Sequence, residues 1–169
     1  MPANPAARPT RRSDRAVTDP AGLFEILTSA KTLRLGLVDQ GRAYIVPMSF
    51  GYDASPDVQP ETWRLYVHCA AEGRKLTLMR KNPIVAFELD ANPSLREGDT
   101  ACEYGLNYSS IMGEAVVRFL TSHDEKRGAL SLLMDHQARP GNWTFDDAML
   151  DRTTVLALRV TSISGKKRD

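Results

Sequence analysis

Apolar residues recur along the chain at two spacings, one helical and one alternating. Helical spacing predicts three helices, over residues 20–31, 73–81 and 122–136. Asp19-Pro20 suits the start of the first helix, because Asp caps free N–H groups and proline fits the first turn. Ser122 and Glu125 fit a capping box that opens the third.

Alternation and one continuous apolar run predict six strands, over residues 33–38, 44–52, 63–69, 84–89, 108–120 and 153–164. The first two form a hairpin, and residues 84–89 are mostly apolar, as expected for a central strand. Segments 91–107 and 139–152 are predicted to be a loop and an irregular stretch. Because the strands are too closely spaced for a parallel βαβ series, we expect a mainly β (α+β) fold, an antiparallel barrel with flanking helices.

The composition is that of a globular protein. The chain has 169 residues, 42% of them hydrophobic and 25% charged, which suits one domain with a sizeable core. The net charge of +1 gives no general affinity for nucleic acid, and no apolar run approaches the ~20 residues that span a bilayer. Cys69 and Cys102 do not make a disulfide framework, so a reducing cytoplasm is the expected compartment.

Charge and proline concentrate at the start of the chain. The first 18 residues hold four arginines against one aspartate, three prolines and almost no large apolar residue. This composition predicts a disordered basic arm over residues 1–18, followed by a single domain over residues 19–169. An anion-binding or export tail built on Arg11-Arg12 is the alternative, although no apolar segment follows it.

Pro47 interrupts the second predicted strand. It has no N–H for a β-ladder, so its side of the strand is an edge, a bulge or a ligand site. Ser49 and Gly51 share its face and are small, so this face could admit a flat ligand. An edge strand near solvent explains the same pattern equally well.

A second candidate site lies where a predicted strand turns into a helix at residues 68–75. Arg74 and Lys75 fall in the first turn of that helix, where the helix dipole disfavours cations. An anion bound at the helix start would remove the conflict, and phosphate is the obvious candidate. The alternative is a pair of solvated surface cations.

His68 lies on the polar face of its strand beside this junction, where a structural role and a catalytic role both remain open. Cys69 has no paired base in the sequence that would make it a nucleophile. No cluster of histidines, cysteines or carboxylates has metal-ligand spacing, so no metal site is expected. Glycine-rich nucleotide motifs and the G-x-S-x-G motif of hydrolases are also absent.

Four ordered segments resemble a known family, namely Tyr44–Asp53, Leu65–Lys75, Cys102–Ala115 with Glu125–Leu130, and Ile163–Lys166. The chain resembles the FMN-binding split-barrel superfamily, also called pyridoxamine 5'-phosphate oxidase-like, over about residues 19–167. Within it, the chain is most similar to the nitroimidazole-resistance (Nim) type flavoproteins. It departs from the family pattern at Cys69, Ser109 and Ala115, where a serine, an arginine and a glycine are usual, and the missing arginine leaves the phosphate contacts open.

The resemblance implies a six-stranded antiparallel split β-barrel of the FMN-binding type. It also implies a homodimer with FMN at the subunit interface. Carried over residue by residue, the cofactor-binding positions are Pro47, Met48, Ser49, His68, Cys69, Ala70, Gly73, Arg74, Lys75, Ser110, Ile111, Met112, Gly113 and Lys166. Gly73, Arg74 and Lys75 would hold the phosphate, and Ser110 to Gly113 would contact the flavin from the same pocket wall.

The function that the resemblance implies is FMN-dependent reduction of nitroimidazoles or similar small electrophiles, with NADH or NADPH as electron donor. His68 is the candidate catalytic residue, because an imidazole that titrates near neutrality can donate a proton. Trp143 and Phe145 could cover the site, although a packing role is favoured. Two alternatives remain, a non-catalytic flavin- or haem-binding protein on the same barrel, and a nucleic-acid protein that uses the basic arm.

Overall fold

The structure, a computed structural model, describes residues 12–168. These residues form eight strands and four α-helices, with short 3₁₀ turns at Ser13–Arg15 and Pro60–Thr62. In chain order the elements are β1 (Ala16–Val17), α1 (Pro20–Ser29), β2 (Leu33–Asp39), β3 (Arg42–Met48), β4 (Phe50–Asp53), β5 (Arg64–Ala70), α2 (Arg74–Lys81), β6 (Ile84–Arg96), β7 (Gly105–Phe119), α3 (His123–Gln137), α4 (Asp147–Arg152) and β8 (Thr153–Arg168).

The strands pair antiparallel in one sheet, in the order β3-β2-β6-β7-β8-β5-β4, and β1 pairs with the end of β8. Strands β3 and β4 lie at the two ends of this order, yet only Ser49 separates them in the sequence. The sheet therefore curls until its two edges come together at Ser49 without pairing. This arrangement confirms the predicted antiparallel split barrel.

The main hydrophobic core fills the barrel. One face of each long strand points inward, and its buried side chains include Leu35, Phe50, Val67, Phe87 and Leu158. Helix α1 packs its apolar face on this core, as its spacing predicted, and Asp19 caps it by accepting a 2.7 Å hydrogen bond from the Gly22 N–H. A smaller core lies between α3, α4 and the outer face of β8.

Helix α3 covers the open edge of β4. The Gln137 side chain donates to the carbonyl of Phe50 at 2.9 Å, and the ring of buried His136 packs 4.7 Å from the Phe50 ring. His136 Nε2 also lies 2.8 Å from the carbonyl oxygen of Ala30, at the end of α1. Because an uncovered edge offers unpaired backbone groups to other strands, α3 protects this end of the sheet.

Gly51 allows α3 to come this close. A Cβ atom at Gly51 would lie 2.4 Å from the backbone N and Cα of Leu133. The expectation that Gly51 leaves space for a flat ligand is therefore wrong, because the helix occupies that space. Pro47 lies on β3, which pairs with β2 alone within residues 12–168, so the edge-strand interpretation of Pro47 is confirmed.

Eight strands form where six were predicted, for two reasons. The predicted second strand divides at Ser49 into β3 and β4, and Ala16–Val17 add a short strand beside Gly165 and Lys166. The last residues of the predicted basic arm, 12–18, are therefore ordered against the sheet. Residues 1–11 of that arm lie outside the described residues.

Two segments predicted to be irregular contain regular structure, and the last predicted strand is longer than expected. Strand β6 continues to Arg96 through a bulge between Ala91 and Ser94, where Asn92 has a left-handed φ of 53°. A bulge breaks the alternation of side chains, so the pattern does not reveal this extension. Helix α4 forms within residues 139–152, with Asp146 as its N-cap, and β8 continues to Arg168.

We predict that Gly51→Ala lowers the free energy of unfolding by about 2 kcal/mol, the range of an overpacked core substitution. The added methyl group meets backbone rather than a rotatable side chain, so α3 must move away from β4. Thermal or urea unfolding measures the change.

The matched control is Gly128→Ala, on α3 itself. A Cβ there meets nothing within 4 Å, and alanine is the better helix former, so this variant should be as stable as the wild type or more stable. Equal stability of the two variants would contradict the close approach at Gly51.

Candidate functional site

The junction between β5 and α2 forms an open cradle. Gly73 has a φ of 141°, which side-chain-bearing residues rarely adopt, and a Cβ there would meet nothing within 4 Å. Gly73 is the N-cap of α2, and no side chain caps the helix. The backbone N–H groups of Arg74 and Lys75 therefore have no partner among residues 12–168 and could bind an anion, whereas those of Leu76 and Thr77 donate to Gly73 O.

Arg74 has partners in the fold that the sequence did not predict. Its Nε donates to Asp39 Oδ2 at 2.7 Å, and its guanidinium lies 4.2 Å from the ring centroid of Tyr44. Asp39 ends β2 and Tyr44 belongs to β3, so Arg74 fastens the start of α2 to the first hairpin. In this arrangement Arg74 is already paired with a carboxylate.

Lys75 is the cation that remains at the cradle. It is half-buried, and no described carboxylate within residues 12–168 forms an ion pair with it. Its charge lies close enough to Cys69 to lower the pKa of that thiol, but burial is the larger effect and raises the pKa of Cys69 overall. The thiol is therefore protonated at neutral pH, which agrees with the absence of a nucleophile motif.

His68 lies on the outer face of β5, two residues before Ala70 and the turn that leads to the cradle. Its side chain is exposed, although neighbouring atoms still remove enough water to lower its pKa below the usual value. At neutral pH the imidazole is uncharged. One ring nitrogen can donate a hydrogen bond and the other can accept one. Neither nitrogen has a hydrogen-bond partner among residues 12–168.

Pro47, Met48 and Ser49 lie at the seam of the barrel. Pro47 and Ser49 are exposed, whereas Met48 is buried in the core. The contact between Arg74 and Tyr44 holds their strand, β3, beside the start of α2. The predicted cofactor-binding residues at β3, β5 and the start of α2 therefore lie on neighbouring elements of one chain.

The predicted cofactor-binding residues on β7, Ser110 to Gly113, lie elsewhere. Ser110 pairs with Lys166 near the end of β8, whereas His68 pairs with Val155 near its start. At ~3.3 Å per residue, the two positions are roughly 35 Å apart along that strand. Within one chain, Ser110 to Gly113 therefore do not lie beside His68, and the expectation that they contact the same flavin stays a prediction.

The four β7 residues also differ in their environment. Ile111 is fully buried in the barrel, and a Cβ at Gly113 would lie 2.5 Å from the Phe87 ring. Both residues serve the core. Ser110 and Met112 point to the outer face, where a ligand or a partner could contact them.

Sequence reasoning missed an apolar surface on the outer face of the sheet. It is formed by β2, β3, β6 and β7, and no helix within residues 12–168 covers it. Its exposed large side chains include Val38 (70% exposed), Ile45 (63%), Ile84 (59%) and Met112 (46%). A shallow groove of about 320 Å³ crosses it between Ile45 and Met112. We call it the outer apolar face. In the sequence, this surface is indicated by the apolar residues on both faces of the strand at residues 84–89.

Trp143 and Phe145 have packing roles. The Trp143 indole N–H donates to Asp135 Oδ1 at 2.8 Å, and Phe145 packs in the smaller core. Both cysteines are free. Within residues 12–168, no group of three or more His, Cys, Asp or Glu side chains could hold a metal ion, and no helix is both long and apolar enough to cross a membrane.

Comparison with known proteins gives a family match over almost the whole chain. The model of the family described as pyridoxamine 5'-phosphate oxidase matches residues 19–167. No curated protein matches the chain.

Several solved structures share the fold. A candidate 5-nitroimidazole antibiotic resistance protein from Bacteroides thetaiotaomicron is 26% identical, with a TM-score of 0.76 over 89% of this chain and 85% of its own. A flavocytochrome from Azotobacter vinelandii is 18% identical, with a TM-score of 0.79 over 98% and 75%. An FAD- and haem-binding protein from Mycobacterium smegmatis is 21% identical, with a TM-score of 0.76 over 92% and 74%. The last two show the fold alone.

Proposed function

The chain belongs to the pyridoxamine 5'-phosphate oxidase family, and on this premise we propose that it is an FMN-dependent oxidoreductase. Its substrates are nitroimidazoles or similar small electrophilic compounds, with NADH or NADPH as electron donor. The observation that carries the proposal is the cradle at Gly73, where an uncapped helix start and Lys75 meet. The similarity to the Bacteroides protein supports the substrate class.

The residues at the cradle fit a phosphate monoester. The free N–H groups of the first turn of α2 supply hydrogen bonds, the helix dipole favours an anion, and Lys75 supplies a full positive charge. Arg74 contributes indirectly, since its bond to Asp39 holds the helix start in place. Asp39 also neutralises Arg74, so Lys75 is the principal cation for the phosphate.

The rest of the proposed site needs a second copy of the chain. Since β8 separates Ser110 and Met112 from His68 within one chain, they can line the same pocket only across a subunit interface. The outer apolar face supplies a surface for such an interface, because exposed apolar side chains on an uncovered sheet are buried by association. We therefore propose a homodimer with FMN between the subunits.

When bound, FMN would supply the hydride-transfer chemistry. The exposed residues Pro47, on β3, and Ser49, between β3 and β4, would border the flavin ring. His68, on the open side of β5, would donate a proton to the reduced substrate. The two free cysteines suit a reducing compartment, and we expect the protein to act in the cytoplasm.

The visible absorption spectrum of the purified protein, before and after addition of FMN and dialysis, tests the cofactor. Retained flavin absorption, with oxidation of NADH or NADPH that depends on a nitroimidazole, supports the reductase. Retained flavin without turnover supports the non-catalytic alternative. A haem band, or failure to keep FMN, contradicts the proposal.

In the same experiment, we predict that Lys75→Ala weakens FMN binding by roughly 10- to 100-fold, the range for a charge-assisted hydrogen bond. Lys81→Ala is the matched control, since it removes the same charge at the other end of α2. Equal flavin occupancy in Lys75→Ala and Lys81→Ala would refute the phosphate assignment.

We predict that, at a pH below the lowered pKa of His68, where its imidazole is protonated, His68→Ala lowers the rate of substrate reduction by about 10²-fold while flavin content stays normal. Because the pKa of His68 is lowered, the protonated donor is lost as pH rises through a value below 6.5, and the wild-type rate should fall there. This limb of the pH–rate profile should vanish in the variant. Full activity of His68→Ala would remove its catalytic role.

We predict that Ile45→Glu, in the outer apolar face, converts the dimer into monomers and lowers flavin occupancy, because it places a charge in a buried interface. Size-exclusion chromatography with light scattering measures the mass. Val58→Glu is the control, since Val58 is exposed at 42% on the loop between β4 and β5. If Ile45→Glu dimerises with the same affinity as the wild type, the dimer interface lies elsewhere on the protein.

A further inference from the structure

Arginines gather at the end of the barrel opposite the Gly73 cradle. They come from three elements that the sheet brings together, the 3₁₀ turn before β1, the end of β6 and the end of β8. The four are Arg12, Arg15, Arg96 and Arg168, which we call the arginine cluster.

The backbone register fixes two members of this cluster. Both pair with residues of β7. Arg96, on β6, pairs with Gly105, and Arg168, on β8, pairs with Tyr108. The Arg168 guanidinium lies against Gly105, where a Cβ atom would be 3.2 Å from its two terminal nitrogens. Glycine at position 105 therefore leaves room for Arg168 to lie across β7 toward Arg96.

The cluster holds more positive than negative charge. Asp14 is the carboxylate beside it, at 3.2 Å from Arg12 and 3.8 Å from Arg15. Arg96 donates to the backbone carbonyl of Glu103 at 3.1 Å, and Arg168 has no ion-pair partner within residues 12–168. Desolvation, followed by the charges of Arg15, Arg96 and Arg12, lowers the pKa of Arg168. An anion bound there would relieve this repulsion.

A polar groove adjoins the cluster. It has a volume of about 300 Å³ between α1 and the β6–β7 hairpin, and Asn92, Ser94, Asn107, Tyr108, Lys167 and Arg168 lie along it. Asn107 Oδ1 is buried without a hydrogen-bond partner among the described residues. Glu25 lies on the same wall, 3.8 Å from Lys167. The groove thus offers cations for a phosphate and acceptors for hydroxyl groups.

We propose that this groove binds a small phosphate-bearing molecule with hydrogen-bond donors, such as a nucleotide or a sugar phosphate. The unpartnered Asn107 acceptor favours such a ligand over a bare anion, because it needs a donor that a bare anion lacks. It also favours such a ligand over a DNA duplex, whose phosphate backbone offers no hydrogen-bond donor to Asn107.

The test is a titration of the full-length protein with inorganic pyrophosphate, ADP and a short DNA duplex. Thermal unfolding and calorimetry are the two readouts. ADP should raise the melting temperature, and added salt should weaken the effect. Arg168→Gln should weaken ADP binding by roughly tenfold or more. Without ligand, Arg168→Gln should unfold at the wild-type temperature or above, because the substitution relieves repulsion.

Arg139→Gln is the matched control, since it removes the same charge from the exposed segment after α3. Arg96→Gln provides a second cluster variant if Arg168→Gln does not fold. Lys75→Ala should keep the wild-type response to ADP, because the cradle lies at the other end of β8, so failure of the FMN proposal would not affect this result.

Several outcomes would overturn the proposal. These are no binding of ADP at millimolar concentration, equal weakening by Arg139→Gln, and tighter binding of the DNA duplex than of ADP. A fourth is loss of bound FMN in Arg168→Gln, which would make the arginine cluster part of the flavin site.

Discussion

The pairing of β8 with three other strands is the constraint on which the rest of the molecule depends. Its first half pairs with β5, Gly165 and Lys166 near its end pair with β1, and β7 runs beside most of its length. Backbone hydrogen bonds fix each register, and a shift by one residue would turn core side chains to solvent. The same pairing sets the distance between His68 and Ser110, so one chain holds two separate parts of the proposed site. That separation is the physical argument for a second copy.

The two free edges of the sheet are treated differently. At β4, Gln137 bonds to the Phe50 carbonyl, and Gly51 allows the helix to approach. Burial lowers the pKa of His136, which keeps the imidazole neutral beside Phe50. At β3, Pro47 lacks an N–H and so cannot extend the ladder, which protects that edge without a cover. One edge is closed by packing, and the other remains accessible beside the cradle.

Periodicity predicted the elements that contain a single, unbroken pattern. The apolar face of α1 and the alternation of β5 lie where the sequence places them, because each residue there has one environment. The bulge at Asn92 broke the alternation, so the extension of β6 was not predicted. The role of Arg74 was missed for another reason. Asp39 is distant in sequence and meets Arg74 only after the sheet has formed.

The motif at residues 68–75 predicts the proposed phosphate cradle, but it could not distinguish its two cations. Arg74 and Lys75 are neighbours in sequence, yet a helix turns successive side chains by about 100°, so they face different surroundings. Arg74 meets the carboxylate of Asp39, and Lys75 meets the end of β5. In the arginine cluster, by contrast, the single carboxylate of Asp14 forms ion pairs with both Arg12 and Arg15. The balance between fixed carboxylates and cations, which only the fold reveals, therefore decides which basic residues remain available to a ligand.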